Sequence, residues 1–353
     1  MNRVKYFFAL LIVFQSSFSL AQDDVKTKPL FASEDVLNLT IKMDVRTVIN
    51  NRDTSERVYH KAKLLYPLSN GDTAIHKIKV MVRGNNRANR KVCSFPPLKL
   101  NFKKNKVDSS LFAGQNKLKL VTHCKPGSIN EEFIIREYYT YKLYQIISPY
   151  SFNVRLCKVT YKDTEGKFKS DVHYGFLIED IDDLAERNGM VEFKDSIPNQ
   201  EVCERQELDR LMFFQYLIGN LDWSIPYMHN FKLISIEGSP RPVAIPYDFD
   251  LTGMVNKPDA TPPPNFEITS VRERIFRGLC RVDGGYDDAV SYFQEKKPEI
   301  YALYENSPYL SDKSKKYTAK YLDSFYKILD DPKQLKQKII RACWANHKHI
   351  FQY

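Results

Sequence analysis

The hydrophobic period of this chain changes once, and that change limits the folds it can adopt. Between Val36 and about Leu120, apolar and polar residues alternate in stretches such as "VLNLTIKMDV" and "HKIKVMVRG". A period of two is typical of half-buried strands. From about Asn130 the apolar residues recur with helical spacing. The sequence therefore predicts an α+β fold of two lobes, the first rich in sheet and the second mostly helical.

One long helix is predicted inside the first lobe, over "INEEFIIREYYTYKLYQII". The cap-forming residues Ser128 and Asn130 mark its start, and Pro149 lies just beyond its end. The stretches "NVRLCKVTYKD" and "VHYGFLIEDID" then predict two strands joined by a turn. We place the first lobe at residues 36–178 and the second at 179–353, with a cleft between them.

In the second lobe, "QEVCERQELDRLMFFQYLIGN" predicts a helix, and "HNFKLISI" and "PVAIPYDFD" predict a pair of short strands. The stretch "NKPDATPPPNF" is predicted to be a loop, because neither a helix nor a central strand accepts three consecutive prolines. The remainder, from "VRERIFRGLC" to the end, is predicted to be helical.

The first twenty-one residues have the pattern of a signal peptide. Arg3 and Lys5 precede the apolar run "YFFALLIVF", and small residues lead up to a predicted cleavage after Ala21. The run is too short to span a membrane comfortably, and no later apolar stretch reaches spanning length. We expect a flexible start at residues 22–35 and a mature protein that is secreted, periplasmic or in the cell envelope.

The net charge of +10 raises the question of an acidic partner. Cleavage would remove two basic residues and no acid, which leaves about +8. Lysine and arginine are interspersed with acids and no nucleic-acid motif is present, so a nucleic-acid partner is not expected. The charge favours a solvated surface or attraction to acidic or phosphorylated substrates. The sequence does not indicate an oligomeric state.

Six cysteines lie outside the signal peptide, and this even number in an exported chain predicts up to three disulfides with unspecified pairing. No CxxC spacing is present, which argues against a zinc site.

Acidic and amide side chains flank the predicted pair of short strands. Asp222 lies in the loop after a helix, Asn230 precedes one strand, and Asp248 ends the other, with Asp250 two residues further on. If these residues converge, their oxygens suit Mg²⁺ or Mn²⁺. One alternative is that each residue only caps a turn. A second is a calcium loop over Asp248–Asp259, although the helices that flank such loops are not predicted here.

The first lobe offers groups that could contact a nucleotide. Lys117 and Lys119 alternate on one predicted strand, and Glu137 lies in the apolar face of the long helix. A buried glutamate usually has a basic partner, and kinases use a strand lysine held by a helix glutamate. It is equally consistent with the sequence that these lysines only face solvent.

Two further stretches belong to this hypothesis. The stretch "VRGNNRANRK", with Arg83 and Gly84, is a weak candidate for a loop that covers phosphates. Glu179 marks the end of a predicted strand between the lobes, where backbone groups could meet an adenine.

The order of these pieces resembles the CotH family, atypical protein kinases of the spore-coat type that are distantly similar to secretory-pathway kinases. The resemblance covers roughly residues 75–255 and depends on the RGN, GNxD and DFD motifs. Asp250, two residues after Asp248, is expected from its position to assist the metal or to cap the next turn. The resemblance implies that Asp222 is the catalytic aspartate and that Asn230 and Asp248 are metal ligands. It also implies that Lys119 contacts the nucleotide and Glu137 holds it, with Lys99 or Lys117 as alternatives to Lys119.

The function that the resemblance implies is a secreted kinase that uses ATP with Mg²⁺ or Mn²⁺ to phosphorylate Ser or Thr of envelope or secreted proteins. The family commonly has a basic residue soon after the GNxD aspartate, whereas this chain has Trp223 and Pro226 and nothing basic before His229. An inactive envelope, scaffold or adhesion protein of the same fold is therefore the alternative hypothesis.

Overall fold

A computed structural model of the chain describes residues 27–103, 106–195, 197, 199–264, 266–281 and 285–343. The predicted signal peptide lies outside these residues. The described part is a mixed structure of helices and sheets, as the change of hydrophobic period predicts.

Seven strands of the described residues close into a barrel, in the order β1-β2-β3-β4-β5-β7-β6. The strands are β1 Leu37–Met43, β2 His60–Pro67, β3 Thr73–Val82, β4 Leu98–Asn101, β5 Lys117–Val121, β6 Val154–Asp163 and β7 Asp171–Ile178. Neighbouring strands are antiparallel, except that β1 pairs in parallel with β6 and so closes the barrel. The sequence pattern does not predict this closure, because alternation reports which face of a strand is buried and not which strand is its neighbour.

Apolar and polar side chains alternate along the strands, so that apolar side chains fill the barrel and lysines lie on one outer face. Leu98 and Leu100 of β4 and the leucines of β5 are fully buried in the barrel interior. The residues between them, Lys99 and Lys119, point the other way, and they face each other across the β4–β5 pair. The outer face therefore carries adjacent cations above an apolar barrel core.

The predicted long helix is confirmed as α2, Ser128–Ile147. It begins after Gly127, and the Asn130 side chain donates to the Pro126 carbonyl at 2.7 Å rather than capping the helix N-terminus. A short helix, α1 Val45–Asn50, lies between β1 and β2 where only strands were predicted. It forms because the Asp44 side chain accepts a hydrogen bond from the Thr47 amide, which is an N-cap.

The predicted pair of short strands is confirmed, and it belongs to a second sheet. This sheet has the order β10-β9-β8 in the described residues, with β8 Val191–Glu192, β9 Phe231–Ser235 and β10 Val243–Pro246. Helix α4, Arg205–Ile218, precedes β9, and a short 3₁₀ turn at Gln200–Val202 replaces the predicted first residues of that helix. Helix α3, Ile181–Arg187, replaces the predicted end of a strand, since Asp180 caps it.

The C-terminal part contains α5 Asp287–Glu305, α6 Asp312–Leu329 and α7 Pro332–Leu335, followed by a π-helical turn at Lys336–Ile340. The prediction of helix over residues 271–280 is wrong, because this segment has no helical residues. The Arg277 guanidinium donates to the carbonyls of Leu221 and Trp223, at 2.7 and 2.8 Å. These contacts hold the segment as an irregular connection against the loop after α4.

Residues 29–31, which lie within the expected flexible start at 22–35, have regular structure. Pro29–Phe31 form a 3₁₀ turn in which Leu30 is completely buried. The buried Arg155 side chain donates to the Leu30 carbonyl at 2.9 Å, so this segment is anchored to the barrel.

Two cysteine pairs of the described residues lie at disulfide distance, Cys93–Cys124 and Cys280–Cys343. Cys157 and Cys203 are free and buried, so the structure has fewer bridges than the three that the cysteine count allows. Among the described residues, no helix combines the length and the apolar character needed to cross a membrane.

Candidate active site

The second sheet brings the predicted acidic and amide residues to one place. Asn230 directly precedes β9, and the first residue of that strand pairs with Pro246, the last residue of β10. The Tyr247 amide donates to the Asn230 carbonyl at 3.0 Å, so the pairing continues by one step, and Asp248 follows it. Asp248 is therefore next to Asn230 for the reason the sequence suggests, which is the antiparallel register of the two strands.

Asp222 is fixed by hydrogen bonds to both of its carboxylate oxygens. The Asn230 side-chain nitrogen donates to the Asp222 carbonyl at 2.8 Å and to its Oδ2 at 3.1 Å. The His229 Nε2 lies 3.0 Å from Oδ1. About a third of the Asp222 side chain stays exposed, so the carboxylate is oriented and still accessible.

Two site residues have a left-handed backbone that non-glycine residues seldom adopt. The φ angles are +56° at Asn230 and +63° at Asp248. Such conformations persist only where the surroundings over-determine them, and they cluster at functional sites. Here the Tyr141 hydroxyl accepts a hydrogen bond from the Asp248 amide at 2.8 Å, which is one such constraint.

Arg87 is the cation at the centre of the acidic side of the site. It lies in the loop after β3, and its guanidinium contacts Asp250 at 2.6 Å, Glu137 at 3.2 Å and Asp248 at 3.4 Å. Lys257 adds a second ion pair to Asp250 at 3.0 Å. One buried guanidinium thus joins the loop after β3, helix α2 and the loop after β10.

The carboxyl groups around Arg87 differ in their pKa values for identifiable reasons. Burial raises the pKa of Glu137 to about 7, and Arg87 only partly opposes this effect. Burial would also raise the pKa of Asp250, but Arg87 and Lys257 outweigh it and lower that pKa to about 2. The pKa of Asp248 is raised by its enclosure and by the Asp250 and Asp222 carboxylates, although 41% of its side chain is exposed.

On the other side of the site, cationic side chains of the barrel face the second sheet. Arg83, Lys99 and Lys119 make no ion pair with any carboxylate of the described residues. Arg83 is close enough to Asp248 to lower the pKa of that carboxyl. Lys232 of β9 also contributes positive charge to this group and is paired with Glu192.

Lys119 lies deepest among these cations. Its ammonium is 4.9 Å from the centre of the Tyr247 ring and 5.6 Å from that of Phe152. Burial, helped by the positive charges of Arg83, Lys232 and Lys99, lowers the pKa of Lys119 to about 7, and Asp180 only partly opposes this. An anion bound here would meet positive charge that the protein leaves uncompensated.

The predicted pair between Lys119 and Glu137 does not form. Glu137 is paired with Arg87 instead, because the loop after β3 folds over the middle of α2 while Lys119 faces the second sheet. The prediction that Asp250 assists a metal is also not supported by its contacts, since Arg87 and Lys257 already hold its carboxylate. Lys117 is exposed, which leaves Lys119 and Lys99 as the half-buried lysines of this β4–β5 face.

Gly84 and Glu179 occupy the predicted places and make structural contacts there. Gly84 has a φ of +84°, and its carbonyl accepts a hydrogen bond from Arg57 at 2.6 Å. Glu179 directly follows β7, accepts hydrogen bonds from Asn153 and pairs with Arg187 at 3.1 Å. Its carboxylate therefore holds the chain around β7 together.

Sequence reasoning missed three residues of the site, which are Arg87, His229 and Arg277. For Arg87 a signal existed, because buried acids such as Glu137 and Asp250 require a cation and the loop after β3 is rich in arginine. His229 was noticed only as the first basic residue after Asp222. No sequence signal indicated Arg277, which reaches the Asp222 loop from a segment more than fifty residues away.

The calcium-loop alternative does not fit the contacts of its residues. Asp259 pairs with Lys125 at 2.9 Å, and Asp250 pairs with Arg87 and Lys257. A strand precedes the loop, and no helix follows it within the described residues until α5. These carboxylates are therefore not arranged around one ion.

No group of three His, Cys, Asp or Glu side chains in the described part of the chain is placed to hold a metal ion. The oxygen donors that remain are the Asp248 carboxylate and the side-chain amide oxygen of Asn230. The amide nitrogen of the same Asn230 side chain faces Asp222. Mg²⁺ is often held by one or two carboxylates together with substrate phosphates, so this small donor set fits a metal site that a bound phosphate would complete.

The sequence matches no protein-family model and no curated protein. The geometry defines the class of the site as acidic residues of the second sheet beside barrel cations that have no ion-pair partner among the described residues.

Proposed function

We propose that this chain is an exported, metal- and ATP-dependent protein kinase of the CotH type that phosphorylates Ser or Thr. The observation that carries the proposal is the nearness of two features, one at the second sheet and one on the barrel. The fixed carboxylate of Asp222 lies beside Asp248 and Asn230, and the unpaired cations Arg83, Lys99 and Lys119 face the same region. Phosphoryl transfer requires both features, since the reaction combines a positioned hydroxyl with concentrated negative charge.

In this proposal Asp222 orients the acceptor. Its carboxylate would accept a hydrogen bond from the Ser or Thr hydroxyl and take the proton as the hydroxyl oxygen attacks the terminal phosphorus of ATP, while the bond from that phosphorus to the β-phosphate oxygen breaks and ADP leaves. His229 and Asn230 hold the carboxylate plane, which reduces the reorganisation needed to reach that geometry. Arg277 holds the backbone on both sides of Asp222.

The cations of the barrel would bind phosphate oxygens. Arg83, Lys99 and Lys119 come from adjacent strands or a strand end, so their spacing is fixed by the sheet. Tyr247 and Phe152 flank Lys119 and provide apolar surface at the same place. Asp248 and Asn230 would hold a divalent cation, which would supply neutralisation of phosphate charge.

The two-lobed kinase-like arrangement is part of this proposal. The barrel would correspond to the nucleotide-covering lobe, and α4 with the second sheet would correspond to the catalytic lobe. The Arg87–Glu137 pair would take the place of the expected Lys119–Glu137 pair in tying the first lobe to α2. The two disulfide pairs support export, because such bonds persist in oxidising compartments.

The test measures nucleotide binding and phosphate transfer separately. Wild-type protein with ATP and Mn²⁺ should melt at a higher temperature than with Mn²⁺ alone, and it should transfer labelled phosphate to a Ser-containing protein such as casein. Asp222→Asn should keep the stabilisation and lose transfer by at least about 100-fold, since it removes only the proton acceptor. Lys119→Met should lose most of the ATP-dependent stabilisation.

Two variants serve as matched controls. Lys117→Met removes an exposed lysine of the same strand, and Asp259→Asn removes a half-exposed carboxylate paired with Lys125. Both should behave as wild type.

A second candidate function is a scaffold protein of the same fold, and a specific contact favours it. Arg87 and Lys257 already compensate the buried acids, so the fold does not need a metal to neutralise them. Absence of ATP-dependent stabilisation and of transfer in the wild type would contradict the kinase proposal and support the scaffold.

A further inference from the structure

A cavity of about 150 Å³ lies directly beside Asp222, on the side of the loop after β10. Its lining comes from the loop that follows α4 and from the chain after β10, and consists mainly of Leu221, Leu251, Pro262, Pro263, Pro264 and Val271. None of these residues was assigned a role above. The cavity therefore adjoins the proposed proton acceptor without being part of the phosphate-binding side.

The chemistry of the lining is one-sided. Asp222 is its ionisable side chain among the described residues, and Thr261 adds a hydroxyl, whereas the rest of the wall is apolar. A charged side chain placed here would lose its hydration without gaining an opposite charge, except by pairing with Asp222 itself. An acidic side chain would in addition meet the negative charge of Asp222.

The walls of the cavity are stiff. Three consecutive prolines have fixed φ angles, and Leu221 and Val271 are buried, each only 6% exposed. The carbonyl of Leu221 is held by Arg277 at 2.7 Å. A cavity of about this volume accepts a benzene-sized group, so it has room for one side chain. A preformed apolar pocket with one convergent polar group is the usual form of a specificity site.

We propose that this cavity is the acceptor-specificity pocket, and that it receives an aliphatic side chain adjacent to the Ser or Thr that reaches Asp222. The proposal rests on the proposed kinase function for the role of the hydroxyl. The expected occupant is an uncharged acceptor segment with Leu, Ile or Val next to the hydroxyl residue. The apolar wall of the cavity would recognise the aliphatic side chain. The oriented Asp222 carboxylate would fix the position of the neighbouring hydroxyl.

The activity test uses four peptides that are identical except for the residue beside Ser, which is Leu, Ala, Lys or Asp. Wild-type enzyme should show a kcat/KM for the Leu peptide at least about tenfold above that for Ala, since a few methylene groups in an apolar pocket supply that much. The Lys and Asp peptides should be the poorest. Phosphorylation without a preference for Leu, or with a preference for Lys, would overturn the pocket while leaving the kinase proposal standing.

A pocket variant tests the location. Leu251 is half-buried at the cavity wall, so Leu251→Trp should fill the space without rebuilding the core, and it should abolish the difference between the Leu and Ala peptides. Leu68→Trp, at an exposed turn of the barrel, is the matched control and should keep the difference. Far-ultraviolet circular dichroism and melting of both variants verify folding. An undiminished Leu preference in Leu251→Trp would show that the recognition lies elsewhere and overturn the proposal.

A binding test does not depend on catalysis. In methyl-labelled protein, acetyl-Leu-Ser-amide should shift the methyl signals of Val271 and Leu251, and acetyl-Asp-Ser-amide should not. If the wild type neither binds ATP nor transfers phosphate, the kinase proposal fails, and this titration still decides whether the cavity takes an aliphatic side chain. Equal shifts with both compounds, or none, would overturn the pocket.

Discussion

At the scale of single residues, the acidic side of the site depends on where one guanidinium lies. Arg87 lies between Glu137, Asp248 and Asp250, which come from a helix and from the loop after β10. Its own pKa stays well above the ordinary value, because these carboxylates outweigh the cost of its burial. Without this cation, three acids would lie close together, with Lys257 paired to Asp250 and the more distant Arg83 near Asp248 as the remaining compensation.

We expect Arg87→Met to lower the free energy of unfolding by about 3 kcal/mol at pH 8, since an ionised acid left without its partner inside a protein is costly. The loss should shrink at pH 5.5. Burial already raises the pKa of Glu137 to about 7 in the wild type, and removing Arg87 raises it further. A carboxyl whose folded pKa is raised stabilises the fold below its unfolded pKa, and this contribution disappears as pH rises through the folded pKa.

Urea unfolding at the two pH values provides the measurement. Arg90→Met is the matched control, because Arg90 belongs to the same loop and donates a hydrogen bond to the exposed Asn50 side chain at 2.8 Å, with no ion pair to a carboxylate of the described residues. A loss for Arg87→Met that is the same at both pH values would contradict the role of Glu137 protonation.

The sequence predicted the acids of the site better than it predicted their partners. Asp222, Asn230 and Asp248 converge because the register of two adjacent strands is short-range information. The partner of Glu137 is fifty residues distant, and the choice between Lys119 and Arg87 depends on how a loop crosses a helix. Sequence patterns carry no information on that crossing.

At the scale of elements, the end of α4 determines where Asp222 lies. The helix ends at Gly219, whose φ of +63° is left-handed, and the chain then turns into the Asp222 loop. A Cβ at Gly219 would overlap the Tyr321 hydroxyl of α6, and the next nearest atom would be 3.4 Å away. Glycine is required here by the backbone conformation and by the close approach of α6.

Gly219→Ala should therefore destabilise the protein by more than the roughly 1–2 kcal/mol that a left-handed alanine costs. Gly238 has a φ of +78° and open space around the position of an added Cβ, so Gly238→Ala should lower the free energy of unfolding only by that backbone cost. The double variant Gly219→Ala with Tyr321→Phe removes the overlapping hydroxyl and should return to the level of Gly238→Ala. The Tyr321 hydroxyl has no hydrogen-bond partner among the described residues, so its removal alone should cost little.

Thermal and urea unfolding of the four variants measure these differences. If Tyr321→Phe did not rescue Gly219→Ala, the overlap with α6 would not be the cause of the loss.

The element boundaries show the same limit of prediction. Strong periodicity identified α2 and the short strands β9 and β10, and these are confirmed. The segment 271–280 has a helical pattern, yet Arg277 fixes it as an irregular connection by donating to the Asp222 loop. Local propensity was overruled there by two tertiary hydrogen bonds from one side chain.

At the scale of the whole molecule, the two cysteine pairs connect the site to distant parts of the chain. Cys93–Cys124 joins the end of the Arg87 loop to the residues after β5. Cys280–Cys343 joins the segment that carries Arg277 to the end of the described chain, and the partners are 63 positions apart in the sequence. The even cysteine count predicted bridges, but the pairing could not be predicted, because it depends on which distant segments pack together and the sequence pattern does not specify this.

Loss of Cys280–Cys343 should be costly for both stability and the Asp222 loop. A bridge that closes a loop of this length is expected to contribute about 4 kcal/mol by restricting the unfolded chain. The double variant Cys280→Ala with Cys343→Ala should lose that amount in urea unfolding, and a phosphine reductant should lower its unfolding free energy by less than it lowers that of the wild type. Cys203→Ala, which removes a buried free thiol, is the control and should respond to reductant as the wild type does.

Because Arg277 lies only three residues before Cys280, the double variant should also lose phosphate transfer while ATP-dependent stabilisation persists. Equal sensitivity of wild type and double variant to the reductant would mean that this bridge does not form in solution, and transfer that survived in the double variant would show that Arg277 holds the loop without it.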